Sequence, residues 1–77
     1  MKHPGTMLSI GEGDSLSNFD MVEARTRWYT AVYKKTSIHK GVWWYMVEDV
    51  KTFPNGDNGD YPDVEVYCGI DNDNTRK

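Results

Sequence analysis

The chain has 77 residues with a formal net charge of −3, is 38% hydrophobic and 13% aromatic, and specifies one small domain, residues 1–77, whose core is aromatic. At this length about 60–65% of the unfolded surface is buried on folding, and the aromatic content excludes a disordered polar chain. A single cysteine, Cys68, excludes an intramolecular disulfide, and His3 with His39 makes a poor zinc set, so no metal or other cofactor is expected.

Support from a partner or a homodimer is expected instead. No apolar run approaches the ~20 residues of a membrane helix, and Met1 to Thr6 lacks the apolar stretch of a secretory signal. The expectation is a soluble, cytoplasmic protein with flexible ends at residues 1–6 and 71–77.

Met7 to Ile10 suits a short strand. Gly13-Asp14-Ser15-Leu16-Ser17 follows, and this string resembles the first block of the GDSL esterases and lipases, in which the serine is the nucleophile. That family draws its base from a later D-x-x-H motif. Here His39 follows Thr36-Ser37-Ile38, so the aspartate that orients a base is missing and the activity is not carried over. The string reads as a turn in which Asp14 or Ser15 caps the next segment. Leu16, Phe19 and Val22 then recur at three-residue spacing and predict a short helix over 14–23, with a strand reaching back to Met21 as the alternative.

Arg25 to Lys35 and Val42 to Lys51 are rich in β-branched and aromatic residues and predict strands. Thr36 to Gly41 between them predicts a hairpin connection. Phe53 to Pro62 collects turn residues. Its Asn55-to-Asp63 stretch has the composition of a calcium loop, yet counting from Asn55 puts Gly59 fifth and Val66 twelfth, which breaks the ligand register. Asp63 to Ile70 alternates cleanly, with Val64, Val66, Cys68 and Ile70 on one face. The fold class is therefore mainly β, with a β-rich α+β arrangement as the alternative. It is an antiparallel meander of three to four strands, or a small curled barrel, with a short N-terminal helical or extended element across it.

Charge is unevenly laid out. Residues 21–41 carry five basic side chains against one acidic, and residues 42–77 carry eight acidic against three basic. If Val32 pairs with Met46, then Trp28, Val32, Trp44 and Met46 share one strand face and Trp43, Tyr45, Tyr29 and Tyr33 the other. The first face, joined by Val64, Val66, Cys68 and Ile70, is the expected core. The second, with Arg27 and Lys35 beside it, has the Tyr, Trp and Arg composition of a binding surface, unless Leu8, Ile10, Leu16 and Phe19 cover it.

The functional expectation is a small non-enzymatic protein-binding module. It would be an inhibitor of the phage-encoded viral type, occupying a surface on a larger host enzyme or defence protein. Trp43, Tyr45, Tyr29, Tyr33, Arg27, Lys35, Asp57, Asp60 and Asp63 are its candidate contacts. The alternative is a nucleotide or single-stranded nucleic acid held by the basic aromatic band from Arg25 to Lys35, with bases on rings and phosphates on Lys or Arg.

Overall fold

The computed structural model describes residues 3–56 and 64–72. Five antiparallel strands form a curled half-barrel. They are β1 (Met7–Gly11), β2 (Phe19–Arg25), β3 (Tyr29–His39), β4 (Val42–Thr52) and β5 (Val66–Asn72), in the sheet order β1-β4-β3-β2-β5. The expected β-rich meander is present, as β2-β3-β4. The remaining strands flank it.

The predicted helix is reduced to one 3₁₀ turn, Ser15–Asn18. Asp14 caps it by accepting from the Leu16 amide at 3.0 Å, and Ser17 Oγ donates to the carbonyls of Asp14 and Glu12 at 2.7 and 2.9 Å. From Phe19 onward the period changes to two, because Val22 and Ala24 are the positions that must be buried. The strand expected over Arg25–Lys35 is broken as well. The Thr26 hydroxyl accepts from the amides of Trp28 and Tyr29 at 3.0 and 3.2 Å, and the Thr26 amide donates to the Tyr29 carbonyl at 2.9 Å. This threonine turn reverses the chain without Gly, Pro or Asn, and it separates β2 from β3.

The β3–β4 hairpin is tighter than predicted. Lys40 and Gly41, at φ 52° and 80°, form a two-residue turn in which both residues are left-handed. The strands consequently run on to His39 and start at Val42. Two bulges alter the pairing: Lys34 lies opposite Met46 and Val32 opposite Asp49, so Val32 does not meet Met46.

That register decides which face is the core, and it is the opposite of the expected one. Val22, Ala24, Tyr29, Ala31, Tyr33, Tyr45 and Ile10 are buried, with Leu8, Leu16, Phe19, Trp28, Trp43 and Val47 packed against them. The 3₁₀ turn, β1 and the start of β2 supply the cover. Directly paired residues share a face, so Met7 with Met46, and Trp44 with Ser9 and Ser37, lie on the outer side. Trp43 points inward and its neighbour Trp44 outward.

The tyrosines can fill the core because each hydroxyl reaches an acceptor at its rim. Tyr45 Oη donates to the carbonyls of Phe19 (2.6 Å) and Leu16 (3.3 Å). Tyr33 Oη donates to Gly5 at 2.7 Å. With the Val47 amide bonded to the Thr6 carbonyl at 2.9 Å, Gly5 and Thr6 are tied to the sheet, and β5 includes Asp71 and Asn72. Within the ends expected to be flexible, Gly5 and Thr6 accept hydrogen bonds from the sheet and Asp71 and Asn72 belong to β5, while residues 1–2 and 73–77 lie outside the described residues.

Gly69 is required by packing. A Cβ there would lie 2.2 Å from Phe19 Cγ, because the Phe19 ring sits directly against the β5 backbone.

Candidate functional site

Three of the four aromatics expected to form a binding face are core residues. Tyr29, Tyr33 and Tyr45 are buried, and their packing leaves no ring surface for a partner. Trp43 is half-buried against the same core. Its outer ring face is occupied by Lys35, whose Nζ lies 4.3 Å from the ring centroid and donates to the Ser17 carbonyl at 2.7 Å. The lysine thereby holds the 3₁₀ turn over the tryptophan. Arg27 is exposed, with its guanidinium 6.0 Å from the Trp28 centroid. Asp57, Asp60 and Asp63 lie outside the described residues.

At the open end of the inner face, Glu65 ties the start of β5 to the sheet. Tyr29 Oη donates to one of its carboxylate oxygens at 2.5 Å, and Tyr67 Oη donates to the other. Burial, then the hydrogen bond to Glu65 and its negative charge, raise Tyr29 well above the ordinary phenol range. The same causes in the same order push Tyr67 up to about 12. Burial raises Tyr33 too, with the charge of Glu65 adding to it. All three phenols therefore stay protonated near neutrality, and Tyr29 and Tyr67 remain donors to the carboxylate. This cluster anchors β5.

Beyond that anchor, β5 pairs only with β2 among the described residues, so its other edge is unpaired. Arg25 lies opposite Val66, Glu23 opposite Cys68, Ala24 opposite Tyr67 and Val22 opposite Gly69. Val66 and Cys68 thus stand on the outer face, away from the core they were expected to join. Val66 is 45% exposed and Ile70 48%, and the Cys68 thiol is free and exposed. The reason is Gly69: with the Phe19 ring against the backbone, only the Glu65, Tyr67 and Gly69 side of β5 can face inward. On the far half of the outer face, Met7 and Met46 pair while 49% and 44% exposed.

Among the described residues, the exposed large apolar side chains Met7, Met46 and Val66 stand on the outer face, Val64, Tyr67 and Ile70 lie in or beside β5, and Ile38 and Val50 pair with the inward-facing Trp43 and Ala31. The alternation of β5 is legible in the sequence, but its apolar side, expected in the core, faces outward. The neutral run Val66 to Ile70, bracketed by Glu65 and Asp71, was the available signal.

Among the described residues, no three His, Cys, Asp or Glu side chains converge to hold a metal ion, and no helix is long and apolar enough to cross a membrane. The chain matches no family model, no curated protein and no solved structure.

Proposed function

We propose that this chain is a small non-enzymatic interaction module, of the inhibitor or adaptor type, that occupies a surface on a larger protein. Its contacts are the outer sheet face and the β5 edge, in place of the inner aromatics. The observation that carries this reading is the position of Val66, Ile70, Met7 and Met46, all more than two-fifths exposed on a single-layer sheet. Met7 and Met46 lie towards one edge of the sheet and Val66 and Ile70 at the other, and exposed apolar groups with polar neighbours on a rigid surface are the ordinary make-up of an interface.

A comparison of variants tests the proposal. The tagged chain is used to capture protein from a lysate of the encoding organism, beside Met46→Glu and Val66→Glu on the outer face and Tyr33→Phe in the core. A stoichiometric partner lost with both outer variants and kept with Tyr33→Phe supports the reading. A partner indifferent to both outer variants, or no partner at all, contradicts it.

A second reading, binding of a nucleotide or single-stranded nucleic acid, draws on one corner of the sheet. There the Arg27 guanidinium approaches Trp28 and the Lys51 ammonium approaches Phe53 (5.7 Å to the centroid), and the Phe53 amide donates to the Trp28 carbonyl at 2.8 Å. Stacking at this corner would change Trp28 fluorescence on addition of oligonucleotide, and an unchanged spectrum eliminates it.

A further inference from the structure

We infer that the half of the outer face nearest the β3–β4 turn, centred on Trp44 and Met46, seats an apolar segment of the partner whose central carboxylate pairs with Lys34; the inference rests on the interaction-module reading and names the chemistry of that contact. Strand register brings the residues together. Met7, Met46, Lys34 and Met21 stand directly opposite one another on β1, β4, β3 and β2, so they form one row across four strands, about 14 Å long at ordinary strand spacing. Trp44 and Val42 precede Met46 at two-residue steps and share its side of β4. Ser9 and Ser37 flank Trp44.

Met7 is 49% exposed and Met46 44%, while Trp44, Val42 and Met21 are half-buried. An indole beside unbranched thioethers is adaptable apolar contact area, and tryptophan is among the commonest interface anchors. The backbone beneath is fixed at the neighbouring bulge, where the Thr36 hydroxyl donates to the Trp44 carbonyl at 2.8 Å.

Lys34 is the charge inside this patch. It is exposed, and among the described residues it makes no hydrogen bond, ion pair or ring contact. Other cations of the sheet are engaged: Lys35 with Trp43 and the Ser17 carbonyl, Lys51 near Phe53, Arg25 beside Glu23. Carboxylates lie to one side. Glu23 and Asp49 stand a row farther, flanking Val32, with Glu48 in the adjoining bulge. Asp71 lies beyond Met21 and has interactions of its own. Residues 7–11 and 34–46, which build the patch apart from Met21, contain no Asp or Glu.

That pattern selects the occupant. A second copy seated on the patch would bring another Lys34 and no carboxylate, and burying two unpaired ammonium groups is costly. A nucleic acid is held by several cations on its phosphates and meets one here. An apolar segment with a single carboxylate satisfies the lysine while it covers Trp44 and the methionines.

The probe is a phage-displayed library of random twelve-residue peptides, selected on the full-length chain and counter-selected on Met46→Glu. Enriched sequences should share an Asp or Glu flanked by Leu, Phe, Met or Trp. The strongest, made as a capped peptide, should shift the amides of Met7, Lys34, Trp44 and Met46 in the ¹⁵N-labelled chain. Lys34→Glu should keep the parent urea midpoint and weaken this peptide about tenfold or more, and exchanging the peptide's carboxylate for Lys should restore binding to that variant. Lys34→Arg should stay within about threefold of the parent.

No enriched sequence, a consensus without an acid, equal binding to Lys34→Met, or shifts confined to β5 or to the Trp28 corner overturns the inference. Dimerisation of the chain through this face at micromolar concentration overturns it as well. A captured partner lost with Met46→Glu and Val66→Glu but indifferent to Lys34→Glu would overturn the carboxylate contact and keep the module.

Discussion

Gly69→Ala tests whether the Phe19 ring fixes the orientation of β5. The added Cβ would sit 2.2 Å from Cγ, 2.2 Å from Cδ2 and 2.5 Å from Cδ1 of Phe19, against ordinary carbon contacts of about 3.5–4 Å. Relief requires the ring to move by about 1.5 Å or the strand to separate from β2. Ring movement is restricted, since the Phe19 carbonyl accepts the Tyr45 hydroxyl at 2.6 Å and the ring packs on the core. Overpacking of this kind costs about 1–3 kcal/mol. With a urea m-value of about 1 kcal/mol/M for a chain this small, the unfolding midpoint should fall by roughly 1–3 M.

The control is the same change in a Phe19→Leu background, where the ring is gone. There Gly69→Ala should cost less than about 0.5 kcal/mol, giving a coupling energy of about 0.5–3 kcal/mol. Equal losses in the two backgrounds, or a loss under about 0.5 kcal/mol in the parent, would refute the packing argument.

Four further outcomes follow from the geometry. Tyr67 ionises near 12 and Tyr29 and Tyr33 are also raised, so the stability they contribute is complete below pH 10. It should decline as pH rises from about 10 through 12, because the unfolded chain releases those protons first; urea midpoints across that range beside absorbance titration of the phenols check this, and a constant midpoint contradicts it. Glu65→Gln should bring the Tyr67 titration down toward the ordinary phenol value and accelerate amide exchange along β5, whereas unaltered exchange would dismiss the anchor. Thr26→Val leaves the Trp28 and Tyr29 amides without their acceptor in a buried turn and should cost about 1–3 kcal/mol in chemical denaturation, with Thr26→Ser close to parent. Lys40→Asn, at a position with φ 52°, should raise stability by about 0.5–1 kcal/mol by giving the hairpin its preferred Asn-Gly turn.

The β-rich class, β4 and the alternation of β5 were legible because their signals are local: aromatic and β-branched runs with period two. What escaped was set by contacts distant in sequence. The Thr26 turn carries none of the residues that usually mark a reversal. The bulges in the β3–β4 pair leave no trace in composition, yet they determine which residues stand opposite one another. The core face was misread because Tyr29, Tyr33 and Tyr45 look amphipathic in sequence, and only the acceptors at Glu65, Gly5 and Phe19 make their burial favourable. For the candidate surface the consequence is a reversal: the tyrosines left it, and Val66, Cys68 and Ile70 entered it.

Amide hydrogen exchange on the isolated chain and on its complex with a captured partner tests the central claim most directly. The account predicts new protection along Val66–Asn72 and on outer-face positions such as Met46 and Met7, with the inner aromatics unchanged. Protection confined to the Arg27, Trp28 and Phe53 corner, with β5 exchanging as fast in the complex as alone, would contradict it.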